Sequence, residues 1–136
     1  LDFIITRGIV MGLSKREAID LVEEIGAFTE LSDRFNMPVR TYSTGMMLKL
    51  AFAVATTITP DILLMDEIVG AGDAKFQDRA QKHLHDLMSR VSILVVASHN
   101  EQLLKSFCSH ALVLSHGKIV HRGTVDECLA FYHVNG

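Results

Sequence analysis

Ile62-Leu63-Leu64-Met65-Asp66-Glu67 decides the fold: a short, unbroken apolar run closed by two adjacent carboxylates. A continuous run of this length suits a parallel strand covered on both faces. Acids at the carboxyl end of such a strand stand where open α/β sheets bind ligands, and Asp followed by Glu offers one group for a metal ion and one for a water. A second run, Ile93-Leu94-Val95-Val96 within residues 92–97, is followed by Ser98-His99-Asn100. Between the runs, over residues 74–90, Phe76, Ala80, Leu84, Leu87 and Met88 recur at helical spacing, with Lys75, Asp78, Arg79 and Lys82 on the polar side. Strand, amphipathic helix and strand together predict a right-handed crossover and a parallel sheet.

Toward the start of the chain, Ser14-Lys15-Arg16-Glu17 has the form of a capping box. Ala18, Leu21, Val22 and Ile25 then make one apolar helical stripe, with Gly26 as the expected stop. Residues 27–40 are irregular, with a helical turn near residues 30–34 and a break at Met37-Pro38. Ser43 is placed to cap a second helix over residues 45–59, apolar on nearly all sides apart from Lys49 and therefore expected to be buried. Pro60-Asp61 ends that helix. Toward the other end, residues 100–107 read as a helix and residues 111–114 as a third strand. Ser115-His116-Gly117 turns the chain into a hairpin with residues 118–121. Thr124 and Glu127 form a second capping box, opening a terminal helix through Tyr132.

At 136 residues, 49% hydrophobic and 21% charged, the chain has the makings of a globular domain with its own core. A net charge of -3 with both signs interspersed gives no footprint for nucleic acid, which is not expected as a partner. Cys108 and Cys128 lack any C-x-x-C spacing, so neither a zinc site nor a disulfide framework is expected, and the setting reads as a reducing cytoplasm. His83 and His85 are two apart and so point to different helix faces, which argues against a histidine metal site. Residues 48–58, the longest apolar stretch, carry Lys49 and fall short of the roughly 20 residues a spanning helix needs. A link to a membrane would go through a partner. The sequence does not begin with Met, and its first residues read as the middle of an uncapped helix, which predicts a piece of a longer protein. No G-x-x-x-x-G-K-[ST] loop for cradling phosphates occurs in it.

Taken singly, the acid pair could be a solvated strand end, His99 polar trim and Ser43-Thr44-Gly45 an ordinary helix cap. Their order is more specific. Tyr42-Ser43-Thr44-Gly45-Met46, an apolar helix, Asp66-Glu67, Gly70-Ala71-Gly72-Asp73 and a strand ending in Ser98-His99 follow one another as in the ATP-binding subunits of ABC-type transporters, which the chain resembles from the helical subdomain to the end of the catalytic core. The resemblance implies an α/β fold: part of a P-loop NTPase (RecA-like) parallel sheet flanked by helices, with a helical subdomain at residues 1–59, its signature turn at residues 42–46, and the C-terminal part of the ATPase core, including a hairpin plus helix, at residues 60–136.

It also implies roles. Asp66 would bind Mg²⁺ through water, Glu67 would polarise the attacking water as general base, and His99 would hydrogen-bond the γ-phosphate of ATP. Ser43, Thr44 and Gly45 correspond to the signature turn, usually L-S-G-G-Q, which closes over ATP held by the second ATP-binding subunit of a homodimer. Asp73, in the place of the S-A-L-D aspartate, would lie at that interface beside the nucleotide. Transmembrane permease subunits would be the other partners, placing the protein at the cytoplasmic face of a membrane.

The departures from the common pattern narrow the resemblance. Tyr42 stands for Leu, Thr44 for Gly, Met46 for Gln, and Ile68-Val69-Gly70-Ala71-Gly72-Asp73 for P-T-S-A-L-D, with Phe76-Gln77 following. These variants resemble the subfamily that exports bacterial surface polysaccharides such as O-antigen, capsule or teichoic acid. Only the second half of the family's domain is matched, over residues 1–133; the P-loop, the glutamine-bearing loop and the adenine-stacking aromatic would lie upstream. Residues 1–136 alone are therefore expected to be inactive. The strand that would lie beside the one ending in His99 is also missing, which predicts an unpaired sheet edge, an uncovered apolar face, and self-association or strand exchange in isolation. A competing reading makes the chain a non-catalytic interaction module that docks on a membrane partner through residues 1–40.

Overall fold

The computed structural model describes residues 1–66 and 73–135. Helix α1 (Asp2–Val10) is followed by α2 (Lys15–Thr29), opened by the expected capping box. The Glu17 amide donates to the Ser14 hydroxyl at 3.3 Å, and the Ser14 amide donates to the Glu17 carboxylate at 2.8 Å. Hydrogen bonding to the Glu17 carboxylate, from the Ser14 side chain first and the Ser14 amide second, holds its carboxyl below the ordinary range.

Helix α2 runs past Gly26, the expected stop, and ends at Glu30, whose φ is 58°. The glycine serves close packing: a Cβ there would strike the Ser32 hydroxyl and come within 3.1 Å of the Phe35 ring. Two short 3-10 turns follow, Ser32–Arg34 and Val39–Thr41.

Helix α3 (Thr44–Thr56) starts at its Ser43 cap, whose hydroxyl accepts from the Met46 amide at 3.3 Å. It ends three residues before the expected boundary. It buries Leu50, Ala53, Val54 and Thr56, while Leu48 is 41% exposed. The expectation of a helix buried all round is thus corrected: α3 packs against its helical neighbours on one side, and its other face meets water. Helix α4 (Ala74–Arg90) buries Phe76, Ala80, Leu84, Leu87 and Met88, the five positions its periodicity marks.

These helices form one compact unit, Leu1–Pro60 with Val69–Arg90. Its core joins Ile4, Ile25, Leu31, Phe35, Leu50, Ala53 and Val54, and a second cluster sets Phe76 and Ala80 against Phe28 and Phe52.

The second unit comprises Asp61–Ile68 with Val91–Gly136. Strand β1 (Ile62–Asp66) pairs in parallel with β2 (Ile93–Ala97), in a register running from Ile62 opposite Ile93 to Asp66 opposite Ala97. Helix α5 (Glu101–Phe107) is capped by the Asn100 side chain, which accepts from the Leu103 amide at 3.1 Å. Strands β3 (His110–Ser115) and β4 (Lys118–Thr124) make the antiparallel hairpin. Its turn residues, His116 and Gly117, both have positive φ, 49° and 76°, which matches the twist of tightly joined strands.

Helix α6 (Val125–Asn135) opens with the second capping box: the Thr124 amide donates to the Glu127 carboxylate at 2.8 Å and the Glu127 amide to the Thr124 hydroxyl at 3.3 Å. It lies on the hairpin, with the His121 and Phe131 rings stacked 4.5 Å apart. The fold class is therefore α/β with parallel pairing, as the sequence indicates.

One expectation about the strands fails. Ile62 and Leu64 of β1 and their partners Ile93 and Val95 of β2 all face solvent, Leu64 with 72% of its surface. The parallel register gathers these four side chains on one face, and among the described residues nothing buries it. The alternate positions, Leu63, Met65, Leu94 and Val96, are half-buried.

Candidate functional site

The strand ladder brings together the first group of sequence-marked residues. Asp66 closes β1 directly opposite Ala97, and Ala97 is followed at once by Ser98 and His99. Asp66 and the 98–100 segment therefore stand at the same, carboxyl-terminal edge of the parallel pair, where α/β sheets place ligands. The segment after β2 is held by its own bonds: the Asn100 amide donates to the Ser98 hydroxyl at 3.0 Å while the Asn100 side chain caps α5.

Asp66 and His99 are both exposed at this edge. The Asp66 carboxylate fits Mg²⁺ by its chemistry, since this ion takes hard oxygen donors and needs only one or two carboxylates beside water and phosphate oxygens. Glu67 lies outside the described residues.

Ser43, Thr44 and Gly45 belong to the helical unit. Ser43 caps α3, and Thr44 and Gly45 form its first turn. Ser43 and Thr44 are exposed, and a Cβ added to Gly45 would meet nothing within 4 Å, so the backbone of this turn is open to approach. Free amides and the helix dipole at such a terminus favour an anion. Tyr42, just before it, anchors the turn by donating its hydroxyl to the Arg34 carbonyl at 2.8 Å, and burial pushes its phenol pKa up.

Asp73 is tied down within its own unit. One carboxylate oxygen accepts from the Phe76 amide at 2.9 Å, capping α4, and the other accepts from the Lys49 ammonium at 2.5 Å. The Lys49 bond first, and the Phe76 amide second, hold the Asp73 carboxyl below its ordinary range.

Lys49 is the residue that sequence reasoning passed over. Its ammonium also lies 5.2 Å from the centre of the Phe76 ring, and only 15% of its side chain is exposed. A signal existed, because Lys49 is the lone charge in α3.

Comparison with known proteins gives consistent similarities. No family model matches the chain. It is 45% identical over 111 residues to the O-antigen export system ATP-binding protein RfbE of Yersinia enterocolitica, covering 82% of this chain and 46% of that protein. It is 36% identical over 129 residues to the O-antigen export system ATP-binding protein RfbB of Myxococcus xanthus, covering 95% of this chain and 30% of that one. Against the teichoic acids export ATP-binding protein TagH of Bacillus cereus, identity is 32% over 126 residues, covering 93% of this chain and 23% of that one. The chain thus spans less than half the length of these curated relatives. A solved structure, the ATP binding subunit of an ABC transporter, superposes with a TM-score of 0.73 over 99% of this chain and 56% of that one at 17% identity, a likeness of fold.

Proposed function

We propose, from the premise that this chain belongs to the ABC-type ATP-binding proteins of polysaccharide export, that it is the second half of the ATP-binding domain of a longer ATPase driving export of a bacterial surface polysaccharide. The observation that carries the reading is the parallel register setting Asp66 beside Ala97, and so beside Ser98-His99, at one sheet edge.

In this reading Asp66 would hold Mg²⁺ and Glu67 would accept a proton from the water that attacks the terminal phosphate of ATP. The bound ion supplies positive charge against the phosphate oxygens. The His99 imidazole hydrogen-bonds the terminal phosphate and keeps water and carboxylate aligned. Ser43, Thr44 and the Gly45 amide present the start of α3 to the nucleotide of a second ATP-binding subunit, and Asp73 lies beside that interface. Permease subunits hold the pair at the cytoplasmic face of the membrane. No helix among the described residues is long and apolar enough to cross one.

Residues 1–136 alone are inactive, because positioning of the phosphates supplies most of the catalysis in phosphoryl transfer and the sequence holds no P-loop. The test is ATP turnover by the longer protein. Glu67→Gln is expected to lower kcat by about a hundredfold or more, and His99→Ala by a comparable factor, in line with losses of a general base or a stabilising hydrogen bond. Turnover unchanged in both variants would make the non-catalytic docking module the better reading.

A further inference from the structure

Lys49 and Asp73 connect two elements that the proposed reaction uses separately. Lys49 lies four residues after Gly45, about one turn along the helix that begins with the Ser43-Thr44-Gly45 turn. Asp73 lies six residues after Glu67 and caps α4. Their ion pair, 24 residues apart in sequence, pins the beginning of α4 to α3.

The pair is built into its surroundings. Lys49 is largely withdrawn from water, and an ammonium so placed needs a carboxylate partner to offset its lost hydration. The Phe76 ring beneath it is fully buried and packs edge-on against Phe52 at 6.0 Å between centroids. Farther along the same two helices, His83 of α4 lies 3.1 Å from the Thr56 carbonyl at the end of α3, through Nε2. The two helices are therefore joined at both ends of their contact, with the charged joint nearer the signature turn.

We propose that Lys49 is a positioning residue for ATP hydrolysis: through Asp73 it locks the signature-turn helix α3 to the start of α4. The inference rests on the ATPase reading given above. Lys49 acts through Asp73 and has no assigned contact with nucleotide. Loosening the joint frees the helix that begins with the Ser43-Thr44-Gly45 turn and the Asp73 carboxylate, and misplacement of about 1 Å in a group that meets the nucleotide can cost about a hundredfold in rate.

The experiment is a double-mutant cycle on ATP turnover by the full-length protein, using Lys49→Met, Asp73→Asn and both together, with Glu67→Gln as reference. Asn caps helices about as well as Asp, so Asp73→Asn removes the ion pair and keeps the α4 cap. Each single variant is expected to lower kcat by about tenfold or more with KM for ATP within about twofold, and the double variant is expected to fall no further than the worse single one. Lys49→Arg is expected to retain most of the activity. Should Lys49→Met fail to fold, Lys49→Gln carries the same expectation.

Two results overturn the proposal while leaving the ATPase reading intact, provided Glu67→Gln has lost activity: wild-type kcat in the Lys49 variant, or losses that multiply in the double variant. Full activity in Glu67→Gln overturns both.

Discussion

Helix α3 and strand β1 are both nearly continuous apolar runs, yet they end in opposite circumstances. In the helical unit, Phe76, Ile4, Ile25 and Leu50 keep less than 2% of their surface in contact with water. In β1 and β2 no residue is fully buried, and one whole apolar face is open. An apolar run states a need for cover, and only tertiary partners decide whether it is met. The helical unit meets it with α1 to α4, whereas the strand pair presents Ile62, Leu64, Ile93 and Val95 to solvent.

The largest effect expected from this difference is in the helical core. Phe76→Ala, which empties the site between Phe28, Phe52 and Lys49, is expected to cost about 3–5 kcal/mol in denaturant unfolding. A cost below about 1 kcal/mol would remove the contrast between the two units.

Next comes association. Residues 1–136 in isolation are expected to sediment as dimers or larger species, since an open strand edge beside an apolar face is a template for pairing. Leu64→Lys with Val95→Lys is expected to return the chain to monomer. A well-behaved wild-type monomer would show that the open face tolerates water.

A smaller effect separates the units by pH. In the helical unit the Asp73 and Glu30 carboxyls are held low, chiefly by hydrogen bonds from Lys49 and from Lys75 respectively. A carboxyl with a lower pKa folded than unfolded binds fewer protons when folded. Its contribution is therefore fully present above the ordinary carboxylate pKa of about 4 and is lost as pH falls through the lowered values. The melting temperature is expected to decline as pH drops below about 5, and Lys49→Met is expected to flatten that decline. Identical slopes in wild type and variant would contradict the pairing.

The smallest effect is Leu64→Ala in residues 1–136 diluted to the monomer, expected to change stability by no more than about 0.5 kcal/mol because the side chain is exposed there. In the longer protein proposed above, the same change is expected to cost about 2–5 kcal/mol if the face is covered there.

Much of this was legible in the sequence where the signal is local. The five buried positions of α4 follow from spacing alone, and both capping boxes are four-residue patterns. Parallel pairing of β1 with β2 follows from strand, helix and strand, and it carries Asp66 and His99 to one edge. What escaped depends on distant partners. Gly26 reads as a stop until Ser32 and Phe35 are seen folded back against it. Lys49 reads as a stray charge because its carboxylate is 24 residues away, and Glu30 meets Lys75 across 45. The apolar run alone reads as a covered strand; the exposure of Ile62, Leu64, Ile93 and Val95 follows instead from the expectation that a neighbouring strand is missing, which leaves an apolar face uncovered.

The central claim is that Asp66, Glu67 and His99 serve a single nucleotide. Its most direct test is a crystal structure of the full-length Glu67→Gln protein trapped with ATP and Mg²⁺. The account predicts the Asp66 carboxylate on the metal's water shell and the His99 imidazole within hydrogen-bond distance of the terminal phosphate of the same ATP. Nucleotide bound elsewhere, or His99 turned away from the phosphate that Asp66 serves, would contradict it.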